Sequence, residues 1–144
     1  MTLPEKLQEI VDDFSWASRD EKMEMLVQYA ESLPPLPEWL QGERDKMEPV
    51  PECMTPVFLF GKKDADGGIR FHFDIPPQSP TVQGLAAILL NGLNGLKLEE
   101  ILAVPANFYT EMNLKDAISQ QRLNGFQGLL AHMKQVAVRL EAES

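Results

Sequence analysis

The sequence predicts an α+β fold in which helices pack on a small antiparallel sheet. Three observations carry this. Before residue 34, apolar residues recur twice at helical spacing. Two short runs rich in β-branched and aromatic residues follow, separated by a stretch rich in glycine and aspartate. From residue 80 onward the apolar spacing is helical again. The order helix–helix–strand–strand–helices, in 144 residues, predicts a single domain spanning 1–144.

The elements follow in order. Thr2-Leu3-Pro4-Glu5 has the Ser/Thr-x-x-Glu form of a capping box. It leads into a stripe of Leu3, Leu7, Ile10, Val11 and Phe14. Ser18-Arg19-Asp20-Glu21 repeats the signal, and Met23, Leu26, Val27, Ala30 and Leu33 form the second stripe. Leu33-Pro34-Pro35-Leu36-Pro37 stops that helix. The polar stretch from Glu38 to Glu52 reads as a long surface loop. Thr55 to Phe60 and Ile69 to Asp74 read as two strands, with Gly61 to Gly68 as the hairpin connection. Arg70, His72 and Asp74 alternate with Phe71 and Phe73, giving one polar face and one apolar face.

After the turn Ile75 to Ser79, a helix starts near Pro80 with Ser79 as its cap. Val82 to Leu90 is apolar nearly all round and belongs at the centre of the domain, with Gly84 allowing close packing against the sheet. Asn91-Gly92 and Asn94-Gly95 end it. Leu98 to Ala103 and Pro105 to Met112 read as short helices. The last helix begins between Ser119 and Arg122. Its stripe is Leu123, Phe126, Leu129, Leu130, Met133, Val136, Ala137 and Leu140, with His132 on the flank as a structural or solvated residue.

Composition excludes several functions. The net charge is −9. Residues 1–52 hold 5 basic against 13 acidic side chains, and residues 53–144 hold 8 against 9. Such a chain repels nucleic-acid phosphates. Its acidic half suits either a solvated surface or a basic protein partner. No apolar run is long enough to span a bilayer, and the first residues lack the charged and apolar regions of a signal peptide. With a single cysteine, a bacterial-type cytosol or an organelle interior fits best, and a cytoplasmic protein is expected. One cysteine excludes an internal disulfide and any all-cysteine metal cluster. Asp64-x-Asp66-Gly67 opens like a calcium loop, but Gly68 and Ile75 stand where ligands are needed. The Asn-Gly pairs lack the strand–glycine–helix order of a phosphate loop.

That leaves Cys53. By residue type alone it is a small apolar packing residue. Its neighbours argue otherwise. Pro49, Pro51 and Pro56 flank it and keep the backbone out of a helix. The run Val57 to Phe60 behind it reads as a buried strand. A thiol on a short loop held by a rigid strand is arranged for use.

Several features together resemble the SufE family, sulfur acceptors that assist cysteine desulfurases in iron–sulfur cluster assembly. Leu36-Pro37 precedes Cys53 at the family's distance, with Arg44 between. Cys53-x-x-x-Val57-Phe58 resembles the family's cysteine and Val–Trp strand. Val82-x-Gly84-Leu85 resembles the start of its central helix, and Arg122-x-x-Gly125-Phe126 the opening of its last. There are departures: Glu52 stands where members usually have Gly, Phe58 replaces Trp, and Pro76-Pro77-Gln78 replaces acidic residues. A carboxylate beside a thiol disfavours the thiolate.

The resemblance implies a SufE/NifU-like fold with no cofactor and no metal. Cys53 would accept a persulfide sulfur, and Arg122 would anchor the loop or a partner. The implied partners are a cysteine desulfurase and downstream iron–sulfur scaffold proteins. The chain would be an accessory carrier and desulfurase activator more than a stand-alone enzyme. One cysteine is enough to carry sulfur but too few to hold a cluster. Two other readings stay open: an interaction module in which Cys53 only packs, and an independent thiol enzyme. The enzyme needs a base at Cys53, and nothing in the sequence places His72 or His132 there.

Overall fold

The computed structural model describes residues 3–143. Helix α1 (Glu5–Ser15) buries Leu7, Ile10, Val11 and Phe14, as the spacing predicts. The capping box expected at Thr2 involves a residue outside those described; α1 begins at Glu5 with Pro4 as its N-cap. At Ser18 the box is complete. Ser18 Oγ accepts from the Glu21 N–H at 3.2 Å, and Glu21 Oε1 accepts from the Ser18 N–H at 2.8 Å. This starts α2 (Arg19–Ser32).

The buried face of α2 is not the expected one. Leu26 is buried, but Met23 and Val27 are exposed, and Lys22 is buried in their place. The reason is how α2 meets the next long helix, α3 (Pro80–Leu93). A Cβ on Gly84 would lie 2.5 Å from Leu26 O, so the two backbones nearly touch there. Gly84 thus serves helix–helix contact, not packing on the sheet. This rotation turns Lys22 inward, where its Nζ donates to Asn113 O (2.8 Å) and to both Asp116 carboxylate oxygens (3.1 and 3.2 Å). A buried ammonium is tolerable only when paired in this way.

The sheet has three antiparallel strands in the order β1 (Glu48–Pro49), β2 (Phe58–Lys63), β3 (Ile69–Asp74). β3 matches the expectation. β2 starts and ends three residues later than expected at each end, so Gly61, Lys62 and Lys63 belong to the strand. β1 lies inside the stretch read as a loop. It is short and contains a proline, which an edge strand tolerates. That stretch also holds single 3-10 turns at Glu38–Leu40 and Arg44–Lys46. It folds back over the sheet's outer face. Trp39 packs edge-on to Phe60 and His72, with ring centroids 5.6 Å apart in each case. Arg44 pairs with Asp74 at 2.9 Å and sits over the Phe58 ring. His72 is therefore half-covered.

The inner face carries Leu59, Gly61, Ile69, Phe71 and Phe73. It meets the last helix, α5 (Gln120–Ala142). A Cβ on Gly61 would lie 2.5 Å from Val136 Cγ1, so α5 crosses β2 there. α3 is buried nearly all round, including Leu85, Ile88 and Leu89, which join Phe126 and Leu130 in one core. It runs through Gly92, where the missing side chain gives room for Leu7 of α1, and ends at Leu93 with Asn94 as its C-cap, at the second of the two expected Asn-Gly stops. Helix α4 (Leu98–Leu102) follows. The expected second short helix is a 3-10 turn, Phe108–Met112, then another at Leu114–Asp116, with Asn113 between them in the left-handed region. Ser119 caps α5, its Oγ accepting from the Arg122 N–H at 3.2 Å.

Candidate functional site

Cys53 lies at the tip of the loop that joins β1 to β2. The loop's base is fixed. Val50 and Val57 are both buried, and Val50 N–H donates to Val57 O at 2.9 Å, extending the β1–β2 ladder by one bond. The tip turns tightly, with Cys53 N–H donating to Val50 O at 3.2 Å. Pro51 and Pro56 limit the conformations between these points. Thr55 Oγ1 and Ser79 Oγ, 2.9 Å apart, tie the far side of the loop to the start of α3.

The near side rests on α5. Cys53 Sγ is 3.8 Å from Gly125 O, and a Cβ at Gly125 would be only 3.3 Å from the sulfur. One turn further on, a Cβ at Gly128 would lie 2.6 Å from Glu52 Cβ. One turn beyond that, His132 Nε2 is 3.0 Å from Glu52 Oε1. A carboxylate only accepts, so the imidazole donates. Positions 125, 128 and 132 share one helix face. The two glycines leave that face bare enough for a backbone to settle on it.

Beneath the thiol is a cavity of about 270 Å³. Its walls include the apolar Val82, Leu85, Phe126 and Leu129, and Arg122 stands at its edge. The sulfur is half-buried, and its pKa is pushed from the ordinary 9.0 up to about 11. Burial is the main cause, the Glu52 carboxylate adds to it, and the Arg122 guanidinium opposes it. In this closed arrangement Cys53 is a protonated, poorly nucleophilic thiol. Moving the loop off its apolar floor reverses the largest of these influences.

The structure thus brings the two site residues predicted from sequence, Cys53 and Arg122, to one cavity. It also brings in residues that sequence reasoning left aside. His132 reaches the loop, but its partner there is Glu52. His72 sits on the outer face of the sheet against Trp39 and Phe60. The spacing Gly125-x-x-Gly128-x-x-x-His132 was the available signal, because it puts two absent side chains and a donor on one helix face. Among the described residues there is no group of three or more His, Cys, Asp or Glu that could hold a metal ion. No helix among them is long and apolar enough to cross a membrane.

The chain is similar to known proteins over most of its length. A family model described as "SufE: Fe-S metabolism associated domain" matches residues 8–137. An uncharacterised SufE-like protein of Mycobacterium tuberculosis is 41% identical over 133 residues, covering 92% of each chain. SufE-like protein 1, chloroplastic/mitochondrial, of Arabidopsis thaliana is 32% identical over 142 residues, which is 98% of this chain and 37% of that one. The solution structure of a hypothetical protein from Thermus thermophilus superposes with a TM-score of 0.85 at 28% identity, covering 98% of this chain and 99% of that one.

Proposed function

This chain belongs to the SufE family of Fe–S metabolism associated domains, and from that membership we propose that Cys53 is a sulfur acceptor serving a cysteine desulfurase. The desulfurase presents a persulfide on its own cysteine. The Cys53 thiolate attacks the terminal sulfur in line with the S–S bond. A new S–S bond forms on Cys53 as the donor's S–S bond breaks. The donor sulfur leaves as a thiolate, and the proton shed by Cys53 passes to solvent or to the partner. The sulfur moves with no net oxidation, so no redox cofactor takes part. The sulfur then passes to iron–sulfur scaffold proteins. With a single cysteine the chain carries sulfur and does not hold a cluster. We place the protein in the cytoplasm.

The observation that best supports this reading is the setting of the thiol. It sits at a loop tip, over an apolar cavity, with Arg122 as the cation that favours its ionised form. No histidine lines that cavity among the described residues. This favours a carrier that works with a partner over a self-sufficient thiol enzyme. The test is incubation with a desulfurase and free cysteine, read by mass spectrometry. Cys53 gains one sulfur atom, and a thiol reductant removes it. Cys53→Ser gains none, because a hydroxyl is a far weaker nucleophile. If Cys53→Ser stimulates the desulfurase as fully as the parent, the interaction-module reading replaces this one.

A further inference from the structure

We propose that Glu52, Gly128 and His132 form a clasp that holds the Cys53 loop on α5 and sets how readily the thiol becomes accessible. The importance of that access rests on reading Cys53 as the working thiol; the clasp itself rests on geometry. The base of the loop is pinned by Val50 and Val57, and its far side by Thr55 and Ser79. On the α5 side, the sulfur's own bond to Gly125 O is long, at 3.8 Å, and weak. The stronger tie is one residue away. Glu52 Oε1 receives the His132 proton at 3.0 Å, in a charge-assisted hydrogen bond.

Gly128 makes that tie possible. With any side chain at 128, a Cβ would lie 2.6 Å from Glu52 Cβ, 3.0 Å from Cγ and 3.1 Å from Cδ. The close contact is at Glu52 Cβ, next to the backbone, so a rotamer change cannot relieve it. The loop itself has to lift. Next to the cysteine this chain carries Glu52, and α5 supplies both the gap and the donor to receive it. His132 is thus a positioning residue. It acts on Cys53 through Glu52.

The clasp and a purely electrostatic role predict opposite signs. If the loop stayed closed without His132, the thiol would keep its burial and its neighbouring carboxylate, and would react no faster than before. If His132 holds the loop down, its loss makes Cys53 react faster. The experiment is maleimide labelling of Cys53 in the isolated protein at pH 7.5, with circular dichroism to confirm the fold. We expect His132→Ala to label about fivefold faster, the scale of one hydrogen bond to a carboxylate. His132→Gln can still donate to Glu52 and should label within about twofold of the parent. Gly128→Ala should also label faster; alanine favours the helix, so α5 itself is not weakened. Should His132→Ala fail to fold, Gly128→Ala decides the matter. A folded His132→Ala labelling at or below the parent rate overturns the clasp. So does a His132→Gln as fast as the alanine variant, or a Gly128→Ala no faster than the parent. No desulfurase is present, so failure of sulfur acceptance and failure of the clasp are separate results.

Discussion

The reactivity of Cys53 against pH tests the closed site directly. The perturbation is alkalinity, and the assay is alkylation of the native protein by iodoacetamide. Raising the thiol from 9.0 to about 11 lowers the thiolate fraction at pH 8 about a hundredfold. A more basic thiolate is intrinsically more nucleophilic, which returns a factor of about six to ten. The net expectation at pH 8 is labelling roughly tenfold slower than in the urea-unfolded chain. The native rate should also keep climbing beyond pH 9 and level only near pH 11, while circular dichroism shows the fold intact. Stability carries the matching sign. The folded protein keeps a proton that the unfolded chain releases above about pH 9. The contribution from this group is therefore full below about pH 9 and is lost as pH rises through about 11. A native profile that levels at or below pH 9, or native labelling at pH 8 as fast as in urea, refutes the description of a thiol held neutral by burial and Glu52.

Other consequences are simpler to test. Arg122→Ala removes the cation that opposes the raised pKa, so labelling at pH 8 should slow further and desulfurase stimulation should weaken. The fold should survive, since Ser119 caps α5 through the backbone of residue 122; unchanged labelling and stimulation would reduce Arg122 to a surface residue. Leu89 is fully buried, and Leu89→Ala should cost about 2–5 kcal/mol in urea unfolding, with a loss under about 0.5 kcal/mol contradicting the placement of α3. Gly84→Ala forces a Cβ to within 2.5 Å of Leu26 O and should cost about 1–3 kcal/mol, so an unchanged melting temperature would rule out the close approach of α2 and α3.

What the sequence made legible follows from what kind of signal each feature leaves. The helices of the core were readable because a buried stripe repeats over several turns, as in α1 and α5. β3 was readable because Arg70, His72 and Asp74 alternate with buried neighbours. α2 misled because its inward face includes Lys22, whose burial depends on Asn113 and Asp116, more than 90 residues away. No local pattern announces a partner at that distance. β1 was hidden for a different reason. Two residues cannot show alternation, and Glu48–Pro49 is a strand only because β2 pairs with it. At the site, Cys53 stood out by uniqueness and by its prolines. The Glu52–His132 contact joins residues 80 apart, and each alone reads as ordinary surface.

If Cys53 accepts sulfur as proposed, these local facts bear on one problem that it must solve. A thiol reactive enough to take sulfur is also reactive toward oxidants and stray electrophiles, and thiolate fraction governs both. A permanently lowered pKa would serve transfer but not protection. In this chain the thiol is kept protonated by an apolar floor it can leave, not by a fixed neighbour alone. The base of its loop is anchored by buried valines, so the tip can lift without disturbing the sheet. Lifting removes the burial that contributes most to the raised pKa. A partner that binds the open loop therefore selects the conformation in which Cys53 is accessible and more acidic. Its differential affinity has only to exceed the cost of breaking the contacts at Gly125, Gly128 and His132. If Cys53 is the sulfur acceptor proposed above, desulfurase binding and thiol activation are one event, and the loop contacts set its threshold.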